Sequence, residues 1–260
     1  MCKVIAVANQ KGGVAKTTTV LNLGYTLSEL GYKVLLVDID PQSNLTMGLG
    51  VDQPDELATT IYHLIMAAID NKPLPEKEKY VLTIGKIDLI PCSIDLAVVE
   101  HFRLVSAMSR EHVLNKILAN VKSDYDYIII DTAPSLGLLT VNALVACNSV
   151  LITTSPQFFS EKGIEMLLET INQARDINPS ISIEGILLTM CDIRTTLFKM
   201  VYDDIQEAYG KHIRIFESVI PVSVKVGESN LYGRSIIEYQ PGSKVTAAYK
   251  GFTKELVSNG

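Results

Sequence analysis

Along most of this chain the apolar residues fall in short unbroken runs rather than in strict alternation. Residues 4–8, 34–37, 127–130 and 149–153 are such runs, the pattern of parallel strands buried on both faces. Residues 186–190 form a fifth run, and a further strand near 87–90 sits between the second and third of the four. Helical spacing fills most of the intervals. Residues 17–30 run to Gly31 and residues 196–209 run to Gly210, each glycine a helix stop, while 138–146 and 163–174 follow later strands. Strands alternating with helices predict an α/β fold, a mostly parallel twisted sheet with helices on both faces. Residues 70–79, DNKPLPEKEK, are charged and carry two prolines, so they read as a surface loop. With no internal repeat and no low-complexity tail, residues 1–260 are expected to form a single domain.

Composition narrows this only a little. Hydrophobic residues make up 47% of the chain, enough for a globular core and too many for a disordered chain. No stretch reaches the about 18 apolar residues of a spanning helix, and MCKVIAVANQ reads as a strand rather than a signal peptide. A cytoplasmic location without membrane attachment is therefore expected. Cys2, Cys92, Cys147 and Cys191 lie far apart with no C-x-x-C spacing and read as reduced, mostly buried thiols. His63, His101, His112 and His212 show no ligand spacing, so a metal held only by protein side chains is not expected. A net charge of −6 argues against a chain coated in positive charge but leaves room for a local basic patch.

Candidate chemistry concentrates where strands end. Residues 9–18 read NQKGGVAKTT between the first strand and the first helix. Backbone amides at such a junction converge on one point, and the helix N-terminus adds partial positive charge. Gly12 and Gly13 admit an anion close to the backbone. Val14 and Ala15 complete the turn. Lys16 is placed to reach β- and γ-phosphates, Thr17 to offer its hydroxyl to Mg²⁺, and Thr18 to meet the α-phosphate. Ala15 stands where a phosphate loop usually has glycine, which is tolerable if its φ stays negative. In VLLVDIDPQSN, alternation puts Asp38 and Asp40 on one face, about 7 Å apart along the strand. Asp40 is placed to orient a water against a γ-phosphate, and Asp38 to hold Mg²⁺ through water. In YIIIDTAPS four apolar residues run into Asp131, the form of a strand whose carboxylate supports the Mg²⁺ of a bound nucleotide.

KGGVAKTT, VDIDPQSN and IIIDTAPS in this order resemble the deviant Walker A ATPases of the P-loop NTPase class, specifically the ParA/Soj partition proteins. The similarity continues through PSLGLLTVNALVAC, SPQFFSEKGIEMLLETI, GILLTMCDIRT and VIPVSVKVGES, and so covers nearly the whole chain; with no N-terminal helix-turn-helix extension in the sequence, it looks like the short or chromosomal type, and that type is expected. The resemblance implies a weak intrinsic ATPase using ATP and Mg²⁺, a homodimer when ATP is bound, non-specific DNA binding on the nucleoid, and stimulation by a ParB-like centromere-binding partner, for plasmid or chromosome partition. It implies that Lys11 reaches across the dimer to the nucleotide of the other subunit. It places Pro221 and Val222 on one side of the adenine, with Met190 approaching the other. TMCD lacks the Asn-Lys of a guanine-specific motif, which favours ATP over GTP.

The DNA surface departs from the family pattern. Arg194 matches a family arginine, Lys225 stands where another arginine is common, and Val222 replaces a further basic residue. Lys199, Lys211, Arg214, Arg234, Lys244 and Lys250 are possible helpers. Fewer phosphate contacts mean weaker, more salt-sensitive binding. The same loop also occurs in membrane-associated division-site regulators like MinD, in electron-transfer ATPases like the nitrogenase iron protein, and in positioners of other cargo. The ending SKVTAAYKGFTKELVSNG reads as a packed helix with a short tail rather than a basic lipid-binding helix, and the cysteines do not fall in cluster motifs.

Overall fold

In the computed structural model, which describes residues 2–157 and 160–258, seven strands form one sheet in the order β3-β4-β2-β5-β1-β6-β7. They are β1 (Lys3–Ala8), β2 (Val34–Asp38), β3 (Leu82–Ile84), β4 (Ile87–Ile90), β5 (Tyr127–Asp131), β6 (Ser149–Thr154) and β7 (Ser182–Leu188). All neighbours pair in parallel except β3, which turns back antiparallel on β4 at the edge. β4 lies on the outer side of β2, and β5 is the strand directly between β2 and β1. The fifth apolar run is displaced: β7 starts at Ser182 and ends at Leu188, so Met190 lies beyond it. Part of the SPQFFSEKG segment, Phe158 and Phe159, is outside the described residues.

Full burial of both faces explains the unbroken apolar runs. Along β1, Val4, Ala6 and Ala8 face one core, while Ile5 and Val7 face the other. Helix Lys16–Glu29 supplies Leu21, Leu23 and Leu27 to the second core. Helix Leu138–Ala146 supplies Leu139, Ala143 and Leu144 to the first. The chain therefore leaves β1 across one face toward β2, and leaves β5 across the opposite face toward β6. Such a reversal opens a crevice at the C-terminal strand ends, where ligands bind in open α/β sheets.

The C-terminal helix, Lys244–Val257, buries Val245, Tyr249, Phe252 and Leu256. Phe252 meets Phe216 edge-on at 4.8 Å, and the Tyr249 hydroxyl lies 3.4 Å from that of Thr19 on the first helix. Thr253 and Thr26 join the same two helices through their hydroxyls. The apolar face of this helix is thus occupied inside the fold. Among the described residues no helix is long and apolar enough to cross a membrane.

Candidate nucleotide site at the strand ends

Residues 12–18 wrap a cleft of about 420 Å³ whose far walls come from Asp40, Asn44, Met47 and Gly48, from Pro134, and from Asn230 and Leu231. The loop enters helix Lys16–Glu29 with no side-chain cap and no acidic residue in its first turn. The opening amides of a helix have no partner within it. Here they end in the cleft as donors beside a partial positive charge, an arrangement suited to an anion. A β-carbon added at Gly12 would meet only Pro134, at 3.8 Å, and one at Gly13 would meet nothing within 4 Å. Gly13 has φ +70, which is the reason for glycine there.

Ala15 departs from expectation. Its φ is 56 and ψ 34, the left-handed region, rather than negative. The loop must reverse sharply to present its amides and still start a right-handed helix, and that geometry outweighs the preference of an L-residue. Left-handed backbone costs a non-glycine residue roughly 1–2 kcal/mol. Ala15→Gly should relieve this, partly offset by glycine's greater unfolded-state freedom. The expected gain is about 0.5–1 kcal/mol, read as a Tm rise of roughly 1–4 °C; a lower Tm would show that the methyl group packs usefully.

Four ionisable side chains, Lys16, Asp38, Asp40 and Asp131, lie together at the base of the loop. Lys16 is buried, and its Nζ donates to the Lys11 carbonyl at 3.2 Å. Burial pulls the ammonium below its usual range, and the charges of Asp131 and then Asp40 oppose this. Asp131 and Asp38 stand directly opposite each other at the ends of β5 and β2, both fully buried. Their surroundings differ. Asp38 Oδ2 accepts from the Thr46 amide at 2.9 Å and the Thr46 hydroxyl at 2.7 Å, while Oδ1 accepts from the Asp40 amide at 3.1 Å. Burial raises its pKa to about 6 despite those donors. Neither oxygen of Asp131 has a partner at full hydrogen-bond geometry. Burial first, then the charge of Asp38, raise its pKa well above the carboxylate range; the nearby Thr17 hydroxyl and the Lys16 ammonium act the other way. A buried carboxyl without a donor is costly, and a cation or its bound water would relieve it. Asp40 is 6% exposed, lines the cleft, and accepts from the Gln42 amide at 3.0 Å.

Lys11 is partly exposed, and its amide donates to Asn9 Oδ1 at 2.9 Å. Because its carbonyl also receives Lys16, the backbone of residue 11 is fixed from both sides. Met190, Pro221 and Val222 are brought together beside the loop. Cys191 and Pro221 form a parallel bridge, the Val222 amide donates to the Cys191 carbonyl at 3.1 Å, and the Thr189 hydroxyl donates to the Val14 carbonyl at 3.0 Å. They are absent from the cleft lining, where Asn230 and Leu231 stand instead. Nothing in the residue pattern marks those two, nor Asn44 and Met47, because their place depends on helices Val224–Leu231 and Asn44–Gly48 folding over the loop from distant parts of the chain.

Arg194 and Lys225 flank the same bridge at the surface, each already paired. Arg194 forms a two-pronged contact with Asp192, both prongs at 2.8 Å, and is 85% exposed. Lys225 meets Glu228 at 2.6 Å. The Arg194 guanidinium holds the Asp192 carboxyl down to about 2.

Residues 2–183 match a family model described as an AAA domain. The chain is 41% identical to the sporulation initiation inhibitor protein Soj of Bacillus subtilis, with 100% of both chains covered. It is 38% identical to the chromosome partitioning protein ParA of Myxococcus xanthus, over 98% of this chain and 88% of that one. Among solved structures, cobyrinic acid a,c-diamide synthase of Mycobacterium smegmatis with bound ATP analog and magnesium superposes with a TM-score of 0.85 at 34% identity, covering 100% of this chain and 96% of that chain.

Proposed function

The chain belongs to the Soj/ParA family of P-loop ATPases, and we propose that it is an ATP-gated dimer that binds DNA non-specifically and serves partition. The single observation that carries the site reading is Asp131: a buried carboxyl with no partner at full hydrogen-bond geometry, near the Thr17 hydroxyl and Lys16 under a glycine loop that opens into an uncapped helix. ATP and Mg²⁺ fit that setting, as they do in the solved relative that holds an ATP analog and magnesium. Among the described residues no group of three His, Cys, Asp or Glu side chains is placed to hold a metal ion by itself.

When bound, ATP supplies the terminal phosphoryl group and magnesium neutralises charge on the β and γ oxygens. The rest falls to the chain. The amides of residues 12–18 and the Lys16 ammonium would hold the phosphates, and Thr17 and Asp131 would hold the cation. Asp38, whose oxygens already accept three protein donors, would act on the cation only indirectly. Asp40 orients the attacking water, and Lys11 gives a second cation across the dimer, in the manner of an arginine finger. Met190, Pro221 and Val222 border the base. Contacts that exist only with the γ-phosphate bias the dimer, so its departure loosens the pair. A ParB-like partner accelerates that step, and nucleoid association follows from DNA binding.

Asp40→Ala tests the water-orienting role. It should leave ATP binding intact and lower turnover at least about 100-fold, so that an ATP-bound dimer accumulates in size-exclusion runs with light scattering. Turnover within a factor of two of the parent removes Asp40 from the mechanism.

For DNA, Arg194 and Lys225 must exchange Asp192 and Glu228 for phosphates. Exposed pairs are worth only about 0–1 kcal/mol, so the exchange costs little. The double variant R194A/K225A should weaken binding, flatten the slope of log K against log salt by about 1.8, the share of two phosphate contacts, and spare ATPase activity. An unchanged slope moves the DNA surface elsewhere.

A further inference from the structure

Thr46 does not line the cleft, yet it is fully buried beneath it. Its hydroxyl accepts from the Cys92 amide at 3.0 Å, just past the end of β4. With that position taken by a donor, the one hydroxyl proton is directed to Asp38 Oδ2 at 2.7 Å, and the Thr46 amide adds a second bond to the same oxygen at 2.9 Å. The other oxygen of Asp38 holds the Asp40 amide at 3.1 Å. The Asp40 carbonyl then receives the Ser43 amide at 2.8 Å, which starts the turn into helix Asn44–Gly48. Donors thus converge on the Asp38 carboxylate from two sides, from Cys92 through the Thr46 hydroxyl and from the Asp40 amide. The Cys92–Thr46–Asp38 bonds run head to tail and strengthen one another, and the carboxylate they fix is the acceptor that holds the Asp40 amide.

We propose that Thr46 is a positioning residue for ATP turnover: through Asp38 it holds the Asp40 backbone at the one place where the Asp40 carboxylate can orient water. The proposal rests on the role given to Asp40 above. Valine has the shape of threonine without the hydroxyl, so T46V leaves the Cys92 amide and Asp38 Oδ2 each one partner short. Serine keeps the hydroxyl. Substitution of such outer partners commonly changes activity about 10–100-fold.

The test uses the full chain and four variants: T46V, T46S, D38N and T46V/D38N. T46V should lower kcat per folded molecule about tenfold, with the Kd for a fluorescent ATP analogue within about twofold of the parent. T46S should stay within about twofold on both. Because Thr46 acts through Asp38, T46V should add less than about twofold on the D38N background. A purely structural Thr46 would lower Tm and leave kcat per folded molecule unchanged. Amide hydrogen exchange on nucleotide-free protein gives a second readout: D38N should speed exchange at Asp40 and Thr46 together, and T46V should speed it at Asp40. The proposal is overturned by a parental kcat in T46V, by a full tenfold loss on top of D38N, or by unchanged Asp40 exchange in both variants. If T46V melts below the assay temperature, exchange at Asp40 in D38N against T46S decides: faster only in D38N supports the chain of bonds, equal in both ends it. If Asp40→Ala keeps its turnover while exchange behaves as stated, the role of Asp40 fails and the Thr46 bonds stand.

Discussion

Lys16→Ala is expected to abolish nucleotide binding, raising the Kd for ATP at least about 100-fold by calorimetry or with a fluorescent analogue. Truncating one partner of a buried, hydrogen-bonded charge pair costs about 2–5 kcal/mol, and about 2.7 kcal/mol is a factor of 100. The upper part of that range applies here. Lys16 is buried at 7% exposure, so water screens its charge poorly. Its Nζ already donates to the carbonyl of Lys11, which aims the ammonium across the mouth of the loop. Burial opposes its charge while Asp131 and Asp40 sustain it, so it enters the complex as a partly desolvated cation. Lys16→Arg should fail almost as badly, because a planar fork cannot replace a compact ammonium in this space. Asp131 loses a neighbouring cation in Lys16→Ala, and Tm measured alongside separates lost binding from lost fold. A Kd within threefold of the parent, in a variant that still melts cooperatively, would remove the loop from the nucleotide site.

Strands β1, β2, β5 and β6 were legible because they are buried on both faces. An unbroken apolar run such as VLLV or YIII has few other uses, and β2, β5 and β6 begin where those runs begin. β3 was not legible: Leu82–Ile84 is a three-residue edge strand with no buried position. Helix Ile61–Ile69 reads IYHLIMAAI, apolar nearly all round, and its start depends on a reciprocal cap between Thr60 and His63. The site divides in the same way. The position of the loop and of the strand-end carboxylates was readable because each sits directly where an apolar strand ends. The backbone of Ala15 was not, since a residue type does not reveal that a loop forces it left-handed. Nor did the residues show how differently Asp38 and Asp131 are held. Both end apolar strands, and only the fold gives one three donors and the other none at full hydrogen-bond geometry.

Lys11→Ala is expected to keep ATP affinity within about threefold of the parent and to lose the ATP-dependent dimer, with self-association weakened at least about 100-fold and stimulated turnover falling by a similar factor. The two lysines of the loop are separable by their surroundings. Lys16 is buried toward Asp131 and Asp40, whereas Lys11 is partly exposed at the outer turn. Its backbone is nevertheless held, by Asn9 Oδ1 on its amide and by Lys16 on its carbonyl. Helix Ser160–Arg175 closes in behind: a β-carbon at Gly163 would come within 3.0 Å of Asn9 Oδ1 and 3.8 Å of Lys11 Cβ. A lysine needed only for solubility gains nothing from such a rigid base, while one that must reach a second molecule's phosphates loses less freedom on doing so. A cation donated in trans to a transferring phosphoryl group is worth about 10³–10⁵ in rate where it has been removed from other enzymes, so a hundredfold loss is a conservative expectation. Light scattering with ATP on an Asp40→Ala background, where turnover does not erode the dimer, gives the cleanest reading. A dimer of parental strength in K11A/D40A would leave the reach of Lys11 within its own subunit.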